Sequence, residues 1–348
     1  MKPLIKHVGG KSKEIKYFEK YIPNTFNNYV EPFVGGGAVF FHLKHSKNII
    51  NDYDFFISYL YKLIKEQNKD FFILLDKLNE IHNIGYKYFI NSNLTKINNV
   101  DKLLLKELNQ LNTSIFNKEI LIKYITDEIN KSIGCFNKNT DKQHYHHNYY
   151  IIKGYLQGLY YYIRNIFNEI LTKDNFYKTP FKIAIYVYIK EYAYSGLVRY
   201  NKKGEFNVPF AGFSYMKKDF KNKIKLFKNK NYVNLLNNTL IEQLDFEDFF
   251  KKYNYFNKND FIFLDPPYDT DFKNYISQKE FNKQEHKRLK KELKKVNAKW
   301  LMIINNNDFI YNLYKQDFNI KEIYDLRYNI NIKNRINKKN QHLIITNY

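Results

Sequence analysis

Short apolar runs, separated by glycine loops and acidic residues, mark both ends of this chain. Near the start, a run at 28–33 leads into Gly35–Gly37 and a helical pattern over 38–43, and a second run ends at Asp52. Four later runs have the length and composition of buried strands: 239–241, 260–264, 300–304 and 343–345. The order strand, glycine loop, helix, strand and acidic residue is typical of the first half of a nucleotide-binding α/β unit.

The middle of the chain has a different pattern. Between about 58 and 185, apolar residues recur at helical spacing, as in Leu60, Leu63 and Ile64, and glycine loops are rare. The lysine- and glutamate-rich stretch 283–295 predicts a solvated amphipathic helix. We therefore predict one α/β domain formed by 1–57 and 223–348, with a mainly helical insertion over 58–222.

Three histidines stand close together in the polar stretch 137–148, namely His144, His146 and His147. A metal site would need carboxylate or cysteine ligands in a matching pattern, and none accompanies them. We interpret the stretch as a solvated loop and expect no metal site.

Composition narrows the class of partner. The formal charge is +22 over 348 residues, which favours a polyanionic partner because neutralised phosphates release counterions. Part of that charge reflects a bias towards lysine, asparagine and isoleucine, as AT-rich coding would give. The five arginines therefore carry more information by their positions. A single cysteine, Cys135, excludes internal disulfides and fits a reducing, cytoplasmic location. No apolar stretch predicts a membrane span or a secretion signal.

The most informative tetrapeptide is Asp265-Pro266-Pro267-Tyr268, directly after the apolar run 260–264. Two prolines fix the backbone and carry no N–H, so the carbonyl groups stay available to a ligand. With the Asp265 carboxylate and the flat face of Tyr268, they suit a planar amino group such as N6 of adenine. The alternative is a strand that simply ends in a proline-rich turn.

Four motifs in one order resemble the Dam family of D12-class DNA adenine-N6 methyltransferases. In chain order they are the N-terminal Lys6–Lys11, the glycine loop 31–37, a hairpin formed by Tyr194–Asn201 with Gly204–Phe210, and Asp265–Tyr268. The C-terminal 334–348 also resembles that family, and the resemblance covers most of the chain outside roughly 66–185. It implies a Rossmann-like methyltransferase sheet with an inserted, mainly helical DNA-recognition domain that carries a β-hairpin.

The cofactor implied by the resemblance is S-adenosylmethionine, with S-adenosylhomocysteine as product. Glycines let the backbone approach a ligand closely, and Asp52 is placed to accept from ribose hydroxyls. Asp245 falls where the family places an acceptor for the cofactor's adenine amine, although its acidic surroundings also fit a solvated face. At His7 the family usually has a larger aromatic residue. The cofactor-binding residues expected by resemblance are His7, Lys11, Pro32, Phe33, Gly35, Asp52, Asp245 and Asp265.

The resemblance implies methyl transfer to the exocyclic nitrogen of a flipped-out adenine. Asp265 and the carbonyl of Pro266 would accept its two N–H groups, and Tyr268 would stack on the base. Tyr275 is a candidate helper or an ordinary core residue. Cytosine-C5 chemistry would need a Pro-Cys nucleophile, whereas Cys135 follows a glycine.

The hairpin carries the expected DNA contacts. By resemblance, Tyr194 inserts into the base stack, Leu197 meets a thymine methyl, and Arg199 reads guanine N7 and O6. Alternatively, Tyr194 and Leu197 are core residues of the hairpin. The DNA-binding residues expected are Lys6, Tyr194, Ser195, Leu197, Arg199, Asn201, Pro209 and Arg335. Together they imply duplex DNA as partner, a GATC target and a monomeric enzyme.

Other functions stay open at this point. A methyltransferase of another short DNA site or of RNA would share most of these motifs, and so would a catalytically silent DNA-binding protein. Cytosine-N4 and glutamine methyltransferases usually carry serine or asparagine in place of Asp265, which argues against both.

Overall fold

A computed structural model of the protein describes residues 1–7, 9–89, 100–111, 116–138, 147–173, 176–268, 281–326 and 340–348. Tyr275, Arg335, His144 and His146 lie outside those ranges. The seven strands are β1 Tyr29–Glu31, β2 Asn48–Asn51, β3 Thr239–Glu242, β4 Phe261–Leu264, β5 Lys299–Asn305, β6 Asn319–Leu326 and β7 Asn340–Thr346.

Fourteen α-helices occur within the described ranges. They are α1 Ile15–Phe18, α2 Ala38–Leu43, α3 Phe55–Lys65, α4 Lys69–Phe89, α5 Val100–Gln110, α6 Lys118–Lys138, α7 His147–Thr172, α8 Thr179–Tyr192, α9 Phe213–Met216, α10 Phe220–Phe227, α11 Lys230–Asn237, α12 Phe246–Lys252, α13 Lys283–Leu293 and α14 Asp308–Tyr314. Of these helices, none is both long enough and apolar enough to cross a membrane.

The chain divides into two compact units. The first comprises Met1–Lys65 and Asn231–Tyr348, and the second comprises Glu66–Lys230. The domain boundaries predicted at 57/58 and 222/223 fall inside α3 and α10, which the units keep whole. The assignment of the second unit to DNA recognition stays a prediction.

The first unit is built on one mixed seven-stranded sheet. The strand order is β3-β2-β1-β4-β5-β7-β6, with β3, β2, β1, β4 and β5 parallel. β7 runs antiparallel to β5 and to β6. The structure therefore confirms an α/β fold of the kind that methyltransferases use. Because the order reverses at β1 and β4, their carboxyl ends form the position where open α/β sheets bind ligands.

The strand patterns explain this arrangement. All four residues of β4 are buried, as expected for a parallel strand covered on both faces. The predicted strands at 28–33, 48–52, 239–241, 260–264, 300–304 and 343–345 are present as β1, β2, β3, β4, β5 and β7. β6 escaped prediction because this edge strand alternates poorly. Ile323 is exposed, and the register between β6 and β7 shifts between Ile320 and Glu322.

The glycine loop between β1 and α2 depends on backbone conformations that other residues adopt poorly. Gly35 and Gly37 have φ values of +47° and +72°. A Cβ atom on Gly37 would lie 2.8 Å from the Tyr61 hydroxyl and 2.8 Å from the Phe41 ring. Left-handed φ and close packing both favour glycine there, which accounts for the motif.

The second unit is a helical bundle in which α6 and α7 pack very closely. Gly154 and Gly158 lie one helical turn apart on α7, against the backbone of α6. Both ends of the predicted polar loop 137–148 are helical, because α6 continues to Lys138 and α7 begins at His147; residues 139–146 lie outside the described ranges. The His147 ring packs against Phe136, at 5.1 Å between centroids.

The α6–α7 contact predicts that Gly158→Ala destabilises the second unit. The added Cβ atom would lie 2.5 Å from the Ile125 Cα atom and 2.5 Å from the Tyr124 carbonyl oxygen. Both are backbone atoms, so the helices must separate, at a cost of about 1–3 kcal/mol. Urea unfolding followed by circular dichroism measures the change.

Gly134→Ala is the matched control, because Gly134 lies on α6 with no atom within 4 Å of its added Cβ. It should be neutral or stabilising by up to about 1 kcal/mol, the difference in helix propensity. Equal unfolding free energies for the two variants would contradict the close contact.

Candidate functional site

Carboxylates collect at the carboxyl ends of the parallel strands. Glu31 ends β1, Asp52 follows β2, and Asp265 follows β4. Burial raises the pKa of Glu31 well above its ordinary value, and the charges on Asp265 and Asp52 raise it further. The Tyr29 hydroxyl donates to Glu31 Oε2 at 2.7 Å, which opposes the rise. This edge of the sheet is therefore strongly acidic, in a chain that is basic as a whole.

Lys11 is the counter-ion for the acidic edge. Its side chain is 2% exposed, and its Nζ atom lies 2.8 Å from Asp265 Oδ1 and 4.0 Å from Glu14 Oε1. The ammonium also donates to the Gly9 carbonyl at 2.8 Å and lies 5.0 Å from the centroid of the Tyr268 ring. Burial raises the pKa of Asp265, and the Lys11 ammonium opposes that rise.

Glu14 ties this lysine to the last two strands. Its Oε2 atom accepts from the Tyr324 hydroxyl on β6 at 2.7 Å and contacts His342 Nδ1 on β7 at 2.8 Å. The His342 ring meets the edge of the Tyr268 ring, with centroids 5.2 Å apart. Lys11 thus contacts both Asp265 and Tyr268, His342 packs on Tyr268, and Glu14 contacts Lys11 and His342.

Asp52 closes the glycine loop. Its Oδ2 atom accepts from the Gly35 N–H at 2.8 Å, and its Oδ1 atom accepts from the Asp54 N–H at 2.9 Å. Burial, followed by the charge on Asp54, raises the pKa of Asp52 to about 7. A carboxylate oxygen can accept more than one hydrogen bond, so both oxygens keep capacity for a hydroxyl ligand.

His7 packs directly against the glycine loop. A Cβ atom on Gly35 would lie 3.3 Å from His7 Nδ1, and one on Gly36 would lie 3.1 Å from His7 Cβ. The loop thus uses the absence of side chains to bring its backbone next to an imidazole ring. Lys6, the neighbouring residue, is exposed.

Asn51, the last residue of β2, forms hydrogen bonds with the loop that follows β1 and the loop that follows β3. Its Nδ2 group donates to the carbonyls of Pro32 and Leu244, each at 3.0 Å, and its Oδ1 atom accepts from the Leu244 N–H at 2.8 Å. Phe33, next to Pro32, is half-buried and packs against Phe246 at 5.9 Å between ring centroids.

Asp245 has two structural partners. As the residue that caps α12, it accepts from the Glu247 N–H at 3.0 Å, and it also accepts from Arg288 Nη2 at 2.8 Å. Arg288 also contacts Glu247 and Glu285. The acidic surroundings noted in the sequence therefore form an ion-pair cluster around one arginine.

The second unit carries the predicted hairpin as an irregular antiparallel ladder. Ala193 pairs with Phe210, and Tyr200 with Phe206. Tyr194 and Leu197 are 48% and 39% exposed, so they are not core residues of the hairpin. Three further predicted contact residues are also exposed: Ser195, Arg199 and Pro209.

Asn201 serves the hairpin turn. Its Oδ1 atom accepts from the backbone N–H groups of Lys203 at 2.9 Å and Glu205 at 3.0 Å, and its Nδ2 group donates to Glu205 Oε2 at 2.7 Å. Asn201 thus shapes the turn with its side chain, a structural role that the motif alone did not reveal.

The comparisons with known proteins agree with the geometry of the site. The model of the D12 class N6 adenine-specific DNA methyltransferase family matches residues 7–125 and 113–329, and the chain belongs to that family. It is therefore a methyltransferase of DNA adenine.

Two full-length relatives are Type II methyltransferases. M.CviBI of Paramecium bursaria Chlorella virus NC1A is 29% identical over 351 residues, which cover 100% of both chains. M.MjaIII of Methanocaldococcus jannaschii is 28% identical over 370 residues, 100% of this chain and 99% of that protein. The DNA adenine methylase of Haemophilus influenzae is 24% identical over 282 residues, 79% of this chain and 68% of that protein.

Sequence reasoning missed Glu14, Glu31 and Asn51 as parts of this edge. Glu31 and Asn51 each end a strand, beside residues that the motifs did identify, so their position was a usable signal. Glu14 had none, because its partners Tyr324 and His342 are more than 300 residues away in sequence.

The ion pair between buried Lys11 and partly exposed Asp265 predicts that Lys11→Met destabilises the first unit near pH 8, by at most the ~3–5 kcal/mol lost when one partner of a fully buried pair is removed. The loss should shrink at acid pH. Without the ammonium the pKa of Asp265 rises further, so protonation removes the uncompensated charge as the pH falls. Urea unfolding at pH 5.5 and pH 8 measures both effects.

The control is Lys13→Met, which removes an exposed lysine from the same 3₁₀ turn, Lys11–Lys13. That variant should match the parent protein at both pH values. A Lys11→Met variant with the same stability loss at pH 5.5 and pH 8 would argue against the charge-based explanation.

Proposed function

We propose that this enzyme transfers the methyl group of S-adenosylmethionine to N6 of an adenine flipped out of duplex DNA, with GATC as the target site. The observation that carries the proposal is the Asp265–Tyr268 corner at the end of β4, beside the glycine loop of β1 and the acidic edge. The family assignment supports the reaction class.

The charge of the acidic edge fits the proposed cofactor. S-Adenosylmethionine, when bound, supplies an electrophilic methyl group on a sulfonium centre and carries an ammonium beside it. The carboxylate of Asp265 and, above about pH 7, that of Asp52 attract such cations, while Gly35 and Gly36 leave room for close backbone approach. In this proposal Asp52 accepts from the ribose hydroxyls, and the ring of Phe33 or His7 covers an adenine face.

Asp245 is the weakest member of the proposed cofactor set. Its carboxylate accepts from Arg288 and from the α12 backbone, so an adenine amine would be an additional donor to the same group. Lys11 supports the site by holding Asp265 in place rather than by contacting the cofactor, because its ammonium lies 2.8 Å from that carboxylate.

The target amine is held by Asp265 and the Pro266 carbonyl. Each accepts one N–H of the adenine, which turns the nitrogen lone pair outward and makes the transfer a matter of positioning and electrostatic stabilisation. Pro266 cannot donate a hydrogen bond, so its backbone presents only an acceptor. Tyr268, held between Lys11 and His342, provides the stacking surface for the base.

The hairpin of the second unit reads the DNA in this proposal. Exposed Tyr194, Leu197 and Arg199 give an intercalating ring, an apolar contact for a thymine methyl and a donor for guanine. Flipping is required because N6 is inaccessible inside a duplex, and it costs a few kcal/mol. The net charge of +22 supports binding to the phosphate backbone.

The second candidate is the same reaction at a different short DNA site. Relatives named Type II methyltransferases favour it, because that name covers enzymes of different target sequences. Methylation of RNA and silent DNA binding are further outcomes that the following experiment separates.

The proposal predicts that Asp265→Ala abolishes methylation, with a loss of at least 100-fold, on the order of a lost transition-state contact. Tritiated S-adenosylmethionine is incubated with duplexes that contain GATC, its single-base variants or no adenine, and with RNA of the same sequence. The variant should still bind DNA. Label in GATC duplexes alone supports the full proposal.

Label in a duplex without GATC would overturn the GATC assignment but would still support methylation of DNA adenine. Label in RNA alone would overturn the proposal that DNA is the substrate. A parent enzyme that binds S-adenosylmethionine but labels nothing would overturn the catalytic proposal. Near-normal incorporation by Asp265→Ala would overturn the role of that carboxylate. Asp248→Ala, an exposed carboxylate on α12, serves as the control and should keep full activity.

The raised pKa of Asp52 predicts that cofactor affinity depends on pH. Below about pH 7 the carboxyl group is protonated and loses its charge, so affinity for S-adenosylmethionine should fall as the pH decreases from 8 to 6. Calorimetric titration across that range measures the trend. Asp52→Asn should bind weakly and without this pH dependence; a parallel decline in that variant would assign the effect to another group.

A further inference from the structure

Arg199 is exposed, yet one edge of its guanidinium is held. Its Nε atom donates to Asn207 Oδ1 at 2.7 Å, and its Nη2 atom donates to the Asn207 carbonyl at 3.0 Å. In return the Asn207 N–H donates to the Arg199 carbonyl at 3.0 Å. One residue on the returning strand thus contacts Arg199 through three hydrogen bonds.

Asn207 stands on an anchored part of the hairpin. On one side, Asn168 of α7 donates to the Phe206 carbonyl at 3.2 Å and accepts from the Phe206 N–H at 2.8 Å, as a neighbouring strand would. On the other side, Tyr160 and Arg164 donate to the Val208 carbonyl at 2.9 Å and 3.1 Å.

The side chains confirm this anchoring. Phe206 and Val208 are buried, while Asn207 between them faces outward and is only half-buried. The anchor comes from a helix of 26 residues, so the backbone on both sides of Asn207 is held by a long element. The backbone at Asn207 is therefore held in place, and its contacts can orient the Arg199 side chain.

The geometry of guanidinium makes this contact selective. Arginine has five N–H donors in one plane, arranged along two edges. Asn207 occupies the edge formed by Nε and Nη2. The edge formed by Nη1 and Nη2 points away from it and has the spacing that matches guanine N7 and O6.

We propose that Asn207 is a positioning residue for target recognition: it restricts the rotamers of Arg199 and presents the Nη1/Nη2 edge to guanine. The inference rests on the proposed reading role of Arg199. Long side chains lose conformational entropy when they bind, and a contact that exists before binding reduces that cost. The neutral amide accepts from Arg199 without adding a negative charge that phosphates would repel.

The first test concerns the free protein and uses no substrate. With only five arginines, the ¹⁵Nε–¹Hε spectrum of the full chain has few signals, and Arg199→Lys assigns the one of interest. In the parent protein the Arg199 Nε–H should exchange slowly with water. In Asn207→Ala that exchange should accelerate about tenfold or more, and unchanged exchange would overturn the inference.

The second test measures discrimination on DNA. Methylation mapping first gives the target site and the guanine at which Arg199→Ala no longer discriminates against other bases. Two duplexes of that site are then prepared, one with guanine at that position and one with 7-deazaguanine, which lacks the N7 acceptor. Asn207→Ala should lose on the order of tenfold in the ratio of kcat/KM values between the two duplexes. The double variant should lose no more than Arg199→Ala alone, because Asn207 acts through Arg199.

The control is Lys203→Ala, an exposed lysine in the turn of the same hairpin. Loss of a phosphate contact weakens binding to all duplexes alike. The ratio of kcat/KM values between the two duplexes should therefore be the same for Lys203→Ala as for the parent protein. A ratio unchanged in Asn207→Ala but lost in Arg199→Ala overturns the positioning role and leaves the proposed function standing. If Arg199→Ala changes no ratio at any guanine, both the reading role of Arg199 and this inference are wrong.

Discussion

The Lys11 ammonium is the interaction on which the first unit depends. A parallel sheet brings the carboxyl ends of its strands to one edge, and in this chain three of those ends carry acidic residues, Glu31, Asp52 and Asp265. Burial, and then the charges on Asp265 and Asp52, raise the pKa of Glu31. One buried lysine, 2.8 Å from Asp265, offsets part of this repulsion.

The contacts around Asp265 and Tyr268 come from several segments of the chain. Lys11, from the N-terminal segment, pairs with Asp265, and His342, from β7, packs against Tyr268. Glu14 connects those two segments through the interior. Such a network loses much of its value when one member is removed, since the remaining groups are left buried without partners. In this chain, segments that are more than 300 residues apart therefore meet beside one strand end.

In the second unit, too, contacts from a distant segment hold an exposed part of the chain. Its hairpin is an irregular ladder, and Asn168, Tyr160 and Arg164 of α7 add hydrogen bonds to the backbone of its returning strand. The close contact of α6 and α7 at Gly154 and Gly158 fixes that helix in turn. The exposed side chains of the hairpin, among them Tyr194, Leu197 and Arg199, can then be solvated while their backbone is held by α7.

The sequence by itself determined the α/β class, six of the seven strands, the glycine loop and the residues of the Asp265 corner, because these depend on local hydrophobic patterns and on residues with special backbone geometry. The tertiary structure decided the strand order, the edge strand β6, and which charged groups meet. Lys11 and Asp265, Glu14 and His342, and Asn168 and Phe206 are far apart in sequence, and no local pattern records such pairs. They arise only when the sheet and the helices pack, since hydrogen bonds and ion pairs act over a few ångströms of space rather than along the chain.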